Sequence, residues 1–239
     1  MFTTTNAIVL SKIRYRDNDL IVKCYTQKDG IVSYLLKGVF KSKKGYSKIA
    51  YYQLLSQIQI TADHKSKRSL QYIKEVKNNY LYTSLHTNIL KSAIVMFLAE
   101  VLSTSLQEEE QNDTLYNYLE ATLQWLDVND SFANFHLLFL LNLSKHLGFY
   151  PDKSKIEAPY FNLKDGAFQL VKESKYSVFG ENLTLLKRLL GITFDALEEV
   201  KINAKQRQSF LSLILLYFEL HLGSFKKPKS LQIFNEVFN

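Results

Sequence analysis

The residues of this chain best suited to chemistry are cationic and aromatic, and they come in groups. Lys37, Lys41, Lys43, Lys44 and Lys48 crowd one short segment, interleaved with Phe40, Tyr46, Tyr51 and Tyr52. Arg14, Tyr15 and Arg16 repeat the mixture upstream, and Lys65, Lys67 and Arg68 form a third basic group downstream. Ammonium and guanidinium groups neutralise phosphates, while aromatic faces stack on bases without regard to sequence, so the combination suits single-stranded nucleic acid. In that reading the seven cations of the first two groups and the 65–68 segment supply affinity, and Tyr15, Phe40 and Tyr46 stack. Charge is also unevenly distributed along the chain. Residues 1–80 hold fifteen Lys and Arg against five Asp and Glu, whereas residues 81–239 hold fifteen against eighteen. A basic module joined to a near-neutral one points to a polyanion as partner of the first. A lysine-rich surface that only keeps the protein in solution accounts poorly for clustering in three separate segments.

Other chemistries find little to work with. No two glycines lie close enough for a phosphate-cradling loop or a dinucleotide fingerprint, and no serine sits in a nucleophile elbow. The five histidines, His64, His86, His136, His146 and His221, are isolated, and His136 and His146 miss the four-residue spacing of helical zinc pairs. Packing is the expected role for the last three. Glu108, Glu109 and Glu110 read as a solvated helix end. Asp17 and Asp19 flank Asn18 in a loop, where turn-stabilising bonds are favoured over cation binding. Cys24 is the sole cysteine, which excludes an intramolecular disulfide and a thiolate-cluster zinc site and fits a reducing interior. Residues 1–14 lack the charged start and unbroken apolar run of a secretory signal, and the most apolar stretch, 132–143, is too short and too interrupted to span a bilayer. No membrane partner, metal or cofactor is expected.

Two kinds of element must position these residues. Segments 5–15, 20–26, 31–36, 53–61 and 69–76 read as strands, the first with one wet face. Asp29 followed by Gly30 supplies the positive φ of a tight hairpin turn between the second and third, and a charged loop, 62–68, joins the last two. Five short strands in about eighty residues suit a small closed or partly open barrel. After Tyr80 the apolar period becomes helical. Helices are expected at 88–106, at 115–126 after a cap at Asn112, at 131–147 before Gly148 and Pro151, at 182–190, 194–200 and 205–222. The 131–147 helix is apolar nearly all round and belongs at the centre of its domain. An excursion at about 150–175 contains a hairpin turning at Asp165 and Gly166. The tail carries Lys226, Lys227 and Lys229 and then an apolar strip from Leu231 to Phe238.

Several strings in this order resemble the RecO family of bacterial recombination mediators. They are Tyr15 to Leu20, the Asp29-Gly30 turn, Leu36-Lys37-Gly38-Val39 before the lysines, Phe135 to Leu147 followed by Gly148 to Asp152, and Tyr217 to Gly223 ahead of Lys226 to Ser230. The resemblance runs the length of the chain. It implies an α+β, multidomain protein: an amino-terminal OB-fold β-barrel, 1–80, that binds nucleic acid, followed by an all-α helical domain, 81–239. It implies a non-enzymatic role in DNA repair and recombination in the cytoplasm, at the nucleoid. Partners would be single- and double-stranded DNA, the protein RecR, the carboxyl-terminal tail of single-strand binding protein (SSB) and, indirectly, RecA: the family anneals complementary single strands and, with RecR, assists RecA loading onto SSB-coated single strands. Many relatives hold zinc with four cysteines after the Gly-Phe-Tyr-Pro-Asp string, whereas residues 156–168 contain none, so zinc is not carried over. Packing of Tyr160, Phe161 and Phe168 would hold that excursion instead. An SSB tail needs an apolar pocket and cations, for which Lys187, Arg188, Lys205 and Arg207 are available. Two other readings stand beside this one: an RNA-binding barrel, and a protein-contact adaptor whose basic loops are incidental.

Overall fold

A computed structural model describes residues 2–65, 68–107 and 110–238, leaving out the side chains of Lys44 and Tyr46. Lys67, Glu108 and Glu109 therefore lie outside the described residues. The chain forms two compact units, 1–128 and 129–239. Among the described residues, no helix is long and apolar enough to cross a membrane.

The first unit is built on a closed five-stranded barrel. Its strands are β1 (Phe2–Tyr15), β2 (Asp19–Thr26), β3 (Gly30–Leu36), β4 (Gln57–Asp63) and β5 (Gln71–Asn78), in the order β1-β2-β3-β5-β4 with β4 closing on β1. All neighbours are antiparallel except β3 and β5, which run parallel through only Tyr34–Gln71 and Leu35–Tyr72. Alternate residues point inward and fill the lumen: Ala7, Val9, Leu20, Val22, Cys24, Tyr34, Ile58 and Ile60 are buried there. Burial raises the Cys24 thiol far above its ordinary value, so it is an inert packing group.

Three local expectations change on inspection. Only Gly30 takes a positive φ, 57°, in the β2–β3 turn, while Asp29 does not. The turn is a three-residue loop, 27–29, closed by Thr26, whose hydroxyl donates to the Gly30 carbonyl and accepts from the Asp29 N–H. The fourth strand starts at Gln57 rather than residue 53, because Leu55 adopts φ 59° and turns the chain first. Simple alternation fails in β5, where the register slips so that Ala62 faces Ile73 and Thr61 faces Glu75. Lys74 is the extra residue of this bulge, and Ile73 and Val76 both pack on the core.

The lysine-rich connection is not a plain loop. Ser42 accepts from the Gly45 N–H and caps a short helix, α1 (Lys43–Ile49), which runs into a 3-10 turn at Ala50–Tyr52. Ile49, Tyr51 and the fully buried Tyr52 plug the barrel here.

Helices α2 (Ile89–Ser105) and α3 (Asp113–Val128) belong to the same compact unit as the barrel, although the backbone period changes at residue 80. Asn112 caps α3 as its sequence position suggests, and Asn88 caps α2. Long-range bonds explain the grouping. The Lys23 ammonium donates to the Ser103 carbonyl, the Ser103 hydroxyl to the Leu10 carbonyl and the Gln57 amide to the Glu120 carbonyl, while Tyr25 stacks on Tyr116. Ala7–Leu10 are consequently buried on both faces, so the wet face expected of β1 is confined to its ends. Asp127 ties the 83–85 segment to α3 by accepting from the backbone N–H groups of Thr83, Ser84 and Leu85, and the buried Lys91 donates to the Ser84 hydroxyl and the Asp127 carbonyl.

The second unit has α4 (Phe135–His146) at its centre, buried on nearly all sides. Around it lie α5 (Gly180–Leu189), a 3-10 helix (Phe194–Glu199), α6 (Ala204–His221) and α7 (Leu231–Val237). The apolar tail docks here: Phe234 is buried against His136, with ring centres 4.7 Å apart. A small sheet of β6 (Tyr160–Asn162), β7 (Ala167–Gln169) and β8 (Ser177–Val178) fills the excursion, in the order β7-β6-β8. Phe161 and Phe168 are buried and meet edge to face at 4.9 Å, and Phe161 also meets Tyr217. Tyr160 is only half-buried and contacts Phe179.

Candidate nucleic-acid interface

The three basic segments converge on one region of the barrel unit. The link begins at the β1–β2 loop. Asp19 accepts from the Gly38 N–H at 2.8 Å and the Asn18 carbonyl from the Phe40 N–H at 3.2 Å, which fixes this loop to the segment after β3. The Asp17–Asp19 triplet thus acts in turn geometry, as its sequence suggests. Arg14 then lies over the Phe40 ring, its guanidinium carbon 4.9 Å from the centroid, while donating to the Asp17 carbonyl. Arg16, held at φ 51°, lies 5.1 Å over Tyr15. The second link runs through Tyr72, which sequence reasoning missed. Its ring receives the Lys37 ammonium at 4.8 Å and the Arg68 guanidinium at 5.0 Å. Arg14 with Phe40, and Lys37 with Tyr72 and Arg68, therefore form two cationic and aromatic groups joined along the chain by residues 37–40, together called the track below.

Individual side chains along the track differ in what they can offer. Lys37, Lys41, Lys43, Lys48 and Arg16 are exposed, and their ammonium or guanidinium charge is available to phosphate oxygens. Arg68 donates to Asp63 at 3.0 Å, so part of its charge is neutralised within the protein. Lys65 is anchored by its backbone, whose N–H and carbonyl both bond the Gln71 side chain. Tyr15 is 36% exposed with Arg16 over its ring, whereas Phe40 is half-buried, packed on the barrel core and faced by Arg14. Tyr52 is buried and so cannot stack. The Lys44 and Tyr46 side chains and Lys67 lie outside the described residues.

Beside the track opens a groove of about 780 Å³ between α1 and β5. Lys37 and Tyr72 line it as well as the track. Lys74 and Lys77, also missed from sequence, contribute two further cations. Only the spacing of lysines on an exposed strand could have signalled them.

In the second unit the four basic residues proposed for an acidic tail do not form one cluster. Arg207 lines a concavity of about 580 Å³ and donates to Asn134, and Arg188 lines a second of about 240 Å³ and donates to the Glu199 carbonyl. Lys201, Ile202 and Gln206 border both concavities, so Lys201 joins the set. Lys205 stands outside them, and Lys187 packs over Phe168 at 5.7 Å. The unit carries fourteen Lys and Arg against eleven acids; the acidic excess after residue 80 resides in 81–128.

Catalytic arrangements are sparse. Among the described residues no three His, Cys, Asp or Glu side chains converge as a metal set. The late histidines are packing groups: His221 stacks on Phe149 with rings 6° from parallel and bonds the Leu163 carbonyl, and burial, aided by Arg207, pushes His136 down to about 3.

Comparison with known proteins gives a consistent result. The family model described as recombination protein O N terminal matches residues 1–80, and that described as recombination protein O C terminal matches residues 86–232. A DNA repair protein RecO of Christiangramia forsetii is 49% identical over the whole of both chains. Proteins of the same description from Flavobacterium johnsoniae, covering 98% of each chain, and Bacteroides fragilis, covering all of each, are 45% and 36% identical.

Proposed function

Because this chain belongs to the RecO family of DNA repair proteins, we propose that its barrel unit binds DNA along the Arg14–Phe40–Lys37–Tyr72–Arg68 track and promotes annealing of complementary strands. Its affinity rests on phosphate neutralisation, which leaves bases free to pair, so sequence preference is weak. The observation that carries this reading is the convergence of three loops distant in sequence into one cationic, aromatic surface. The protein acts by binding and does not turn over a substrate.

The second unit, in this proposal, receives the acidic tail of SSB at the paired concavities around Lys201 and Ile202, where Arg188 and Arg207 meet carboxylates and the apolar lining takes the aromatic end. Together with RecR, the protein then helps RecA displace SSB. Annealing of complementary strands precoated with SSB tests both units at once. The full chain accelerates it, Arg14→Glu with Lys41→Glu removes acceleration on bare and coated strands alike, and Arg188→Glu with Lys201→Glu removes it on coated strands only. Unchanged rates in the Arg14→Glu, Lys41→Glu variant would end the proposal.

A further inference from the structure

We infer that α7 is a displaceable plug, holding in cis an apolar socket on α4 and α6 that takes, in trans, the aromatic end of an acidic segment; this rests on the peptide-binding reading of the second unit and adds a gate to it. The plug consists of two rings one helical turn apart. Phe234 and Phe238 stack on each other at 4.7 Å, and both face the buried His136, at 4.7 and 6.0 Å. Phe234 is buried like a core residue, but the rest of α7 is held loosely. Its seven residues are too few to stay helical without packing, and the Ser230 side chain does not cap them. Ile233 is exposed, and the Gln208 amide reaches the Asn235 carbonyl only at 3.5 Å. Asn235 Oδ1 is buried and accepts no hydrogen bond, which disfavours the docked state. Upstream, Phe225 is buried against Phe218 at 5.5 Å, so the chain is anchored just before the segment that would move. The match to the carboxyl-terminal family model ends at residue 232, and both rings lie beyond it.

The charge around the socket selects its partner. Arg207 donates to Asn134, and both line the larger concavity, while the same guanidinium helps to keep the His136 ring neutral. Gln208, which reaches α7, follows Arg207 on α6. Socket and concavity therefore adjoin. From Leu231 to Phe238 the plug carries one charged residue, Glu236, which is exposed and accepts from Gln232 within its own helix. Among the described residues no ion pair joins α7 to Arg207 or Lys201. A segment with several carboxylates ahead of an aromatic residue fills the same ring position and adds charge-assisted bonds to these two cations. The advantage of α7 is its tether, which keeps its effective concentration at the socket high. A second copy's α7 would fit the rings but gains neither the charge nor the tether.

The experiment titrates two labelled peptides against the full chain by fluorescence anisotropy, one acidic and ending in Phe, the other equally acidic without an aromatic residue. Phe234→Ala with Phe238→Ala removes the rings of the plug. Apparent affinity is reduced by the fraction of open sites, so with α7 undocked in about a tenth of molecules or fewer the variant should bind the Phe-ended peptide at least about tenfold more tightly, and the other peptide no more than about twofold. In the unaltered protein the Phe-ended peptide should speed amide hydrogen exchange across residues 231–238 and leave α2 as it was. A synthetic peptide of residues 229–239 should compete with it for the variant. Unchanged or weaker binding by a folded variant would overturn the inference and make α7 a fixed cap. The proposed function survives that outcome if the unaltered protein binds the Phe-ended peptide and Arg188→Glu with Lys201→Glu abolishes the binding. If neither protein binds it, both fall. Should the double variant not fold, unchanged exchange across 231–238 at saturating peptide overturns the inference by itself. A dimer that forms by exchanging α7 would also overturn it, assigning the socket to a second copy.

Discussion

Salt dependence offers the sharpest quantitative consequence of the track. Seven described cations on its loops are available to phosphates: Arg14, Arg16, Lys37, Lys41, Lys43, Lys48 and Lys65. Arg68 is discounted because Asp63 already holds it. Each neutralised phosphate on a single strand contributes roughly −0.7 to the slope of log affinity against log salt, so seven give about −5. Raising salt from about 50 to 200 mM should then weaken binding about a thousandfold. Replacing Lys41 and Lys43 with Ala removes two contacts and should bring the slope to about −3.5, with the largest loss of affinity at low salt. Anisotropy titrations of a short single strand across this range measure both slopes. A wild-type slope shallower than about −2, or one that the double substitution leaves unchanged, would refute the counting, since either means that these cations do not displace counterions from phosphates.

Other consequences concern the framework. Asp127→Ala orphans the Thr83, Ser84 and Leu85 N–H groups while Lys91 keeps its bonds to the Ser84 hydroxyl and the residue 127 carbonyl, and should cost about 3–5 kcal/mol by urea denaturation; a loss under about 1 kcal/mol would discount the network. Burial alone would raise the Asp127 carboxyl, but its N–H donors outweigh this and hold it below the usual carboxylate range. His136 is pushed below its ordinary value by burial and Arg207, so the unfolded chain binds a proton that the folded one refuses between about 6.5 and 3. Stability should fall with decreasing pH through that window, by at most about 1.4 kcal/mol per unit from this group, and the difference between wild type and His136→Leu should carry that slope. In the second unit, Gly166→Ala places a Cβ 2.7 Å from the Tyr217 hydroxyl at φ +64°, which should lower stability by about 1–3 kcal/mol without affecting a thermally matched DNA titration.

Local signals in the sequence carried much of the architecture. The Asp29-Gly30 turn, the Asn112 cap and the Gly148 stop act over a few residues, and the elements they delimit formed where expected. The Asn203-Gln206 capping box that starts α6 is equally local, although the apolar period by itself places the start at Lys205. What stayed hidden depends on distant contacts. Nothing near Ile8 or Leu10 announces that α2 will cover them, and that covering joins residues 81–128 to the barrel unit. The bulge at Lys74 exchanges the faces of β5, so a strict alternation cannot tell that Tyr72 meets Lys37 and Arg68 while Ile73 and Val76 turn inward. Residue types alone found the basic loops; their union through Tyr72 and Phe40 required the barrel's register.

Position rather than sum of charge is the heart of this account. It is tested most directly by two full-length variants of equal net charge in one single-strand titration, after circular dichroism has established that both are folded. One carries Arg14→Glu, Lys37→Glu and Lys41→Glu on the track, the other Lys155→Glu, Lys172→Glu and Lys226→Glu at exposed positions of the second unit. The track variant should lose at least a hundredfold in affinity and the other no more than about threefold, a contrast expected of phosphate contacts and not of a general field. Equal losses in the two variants would contradict it.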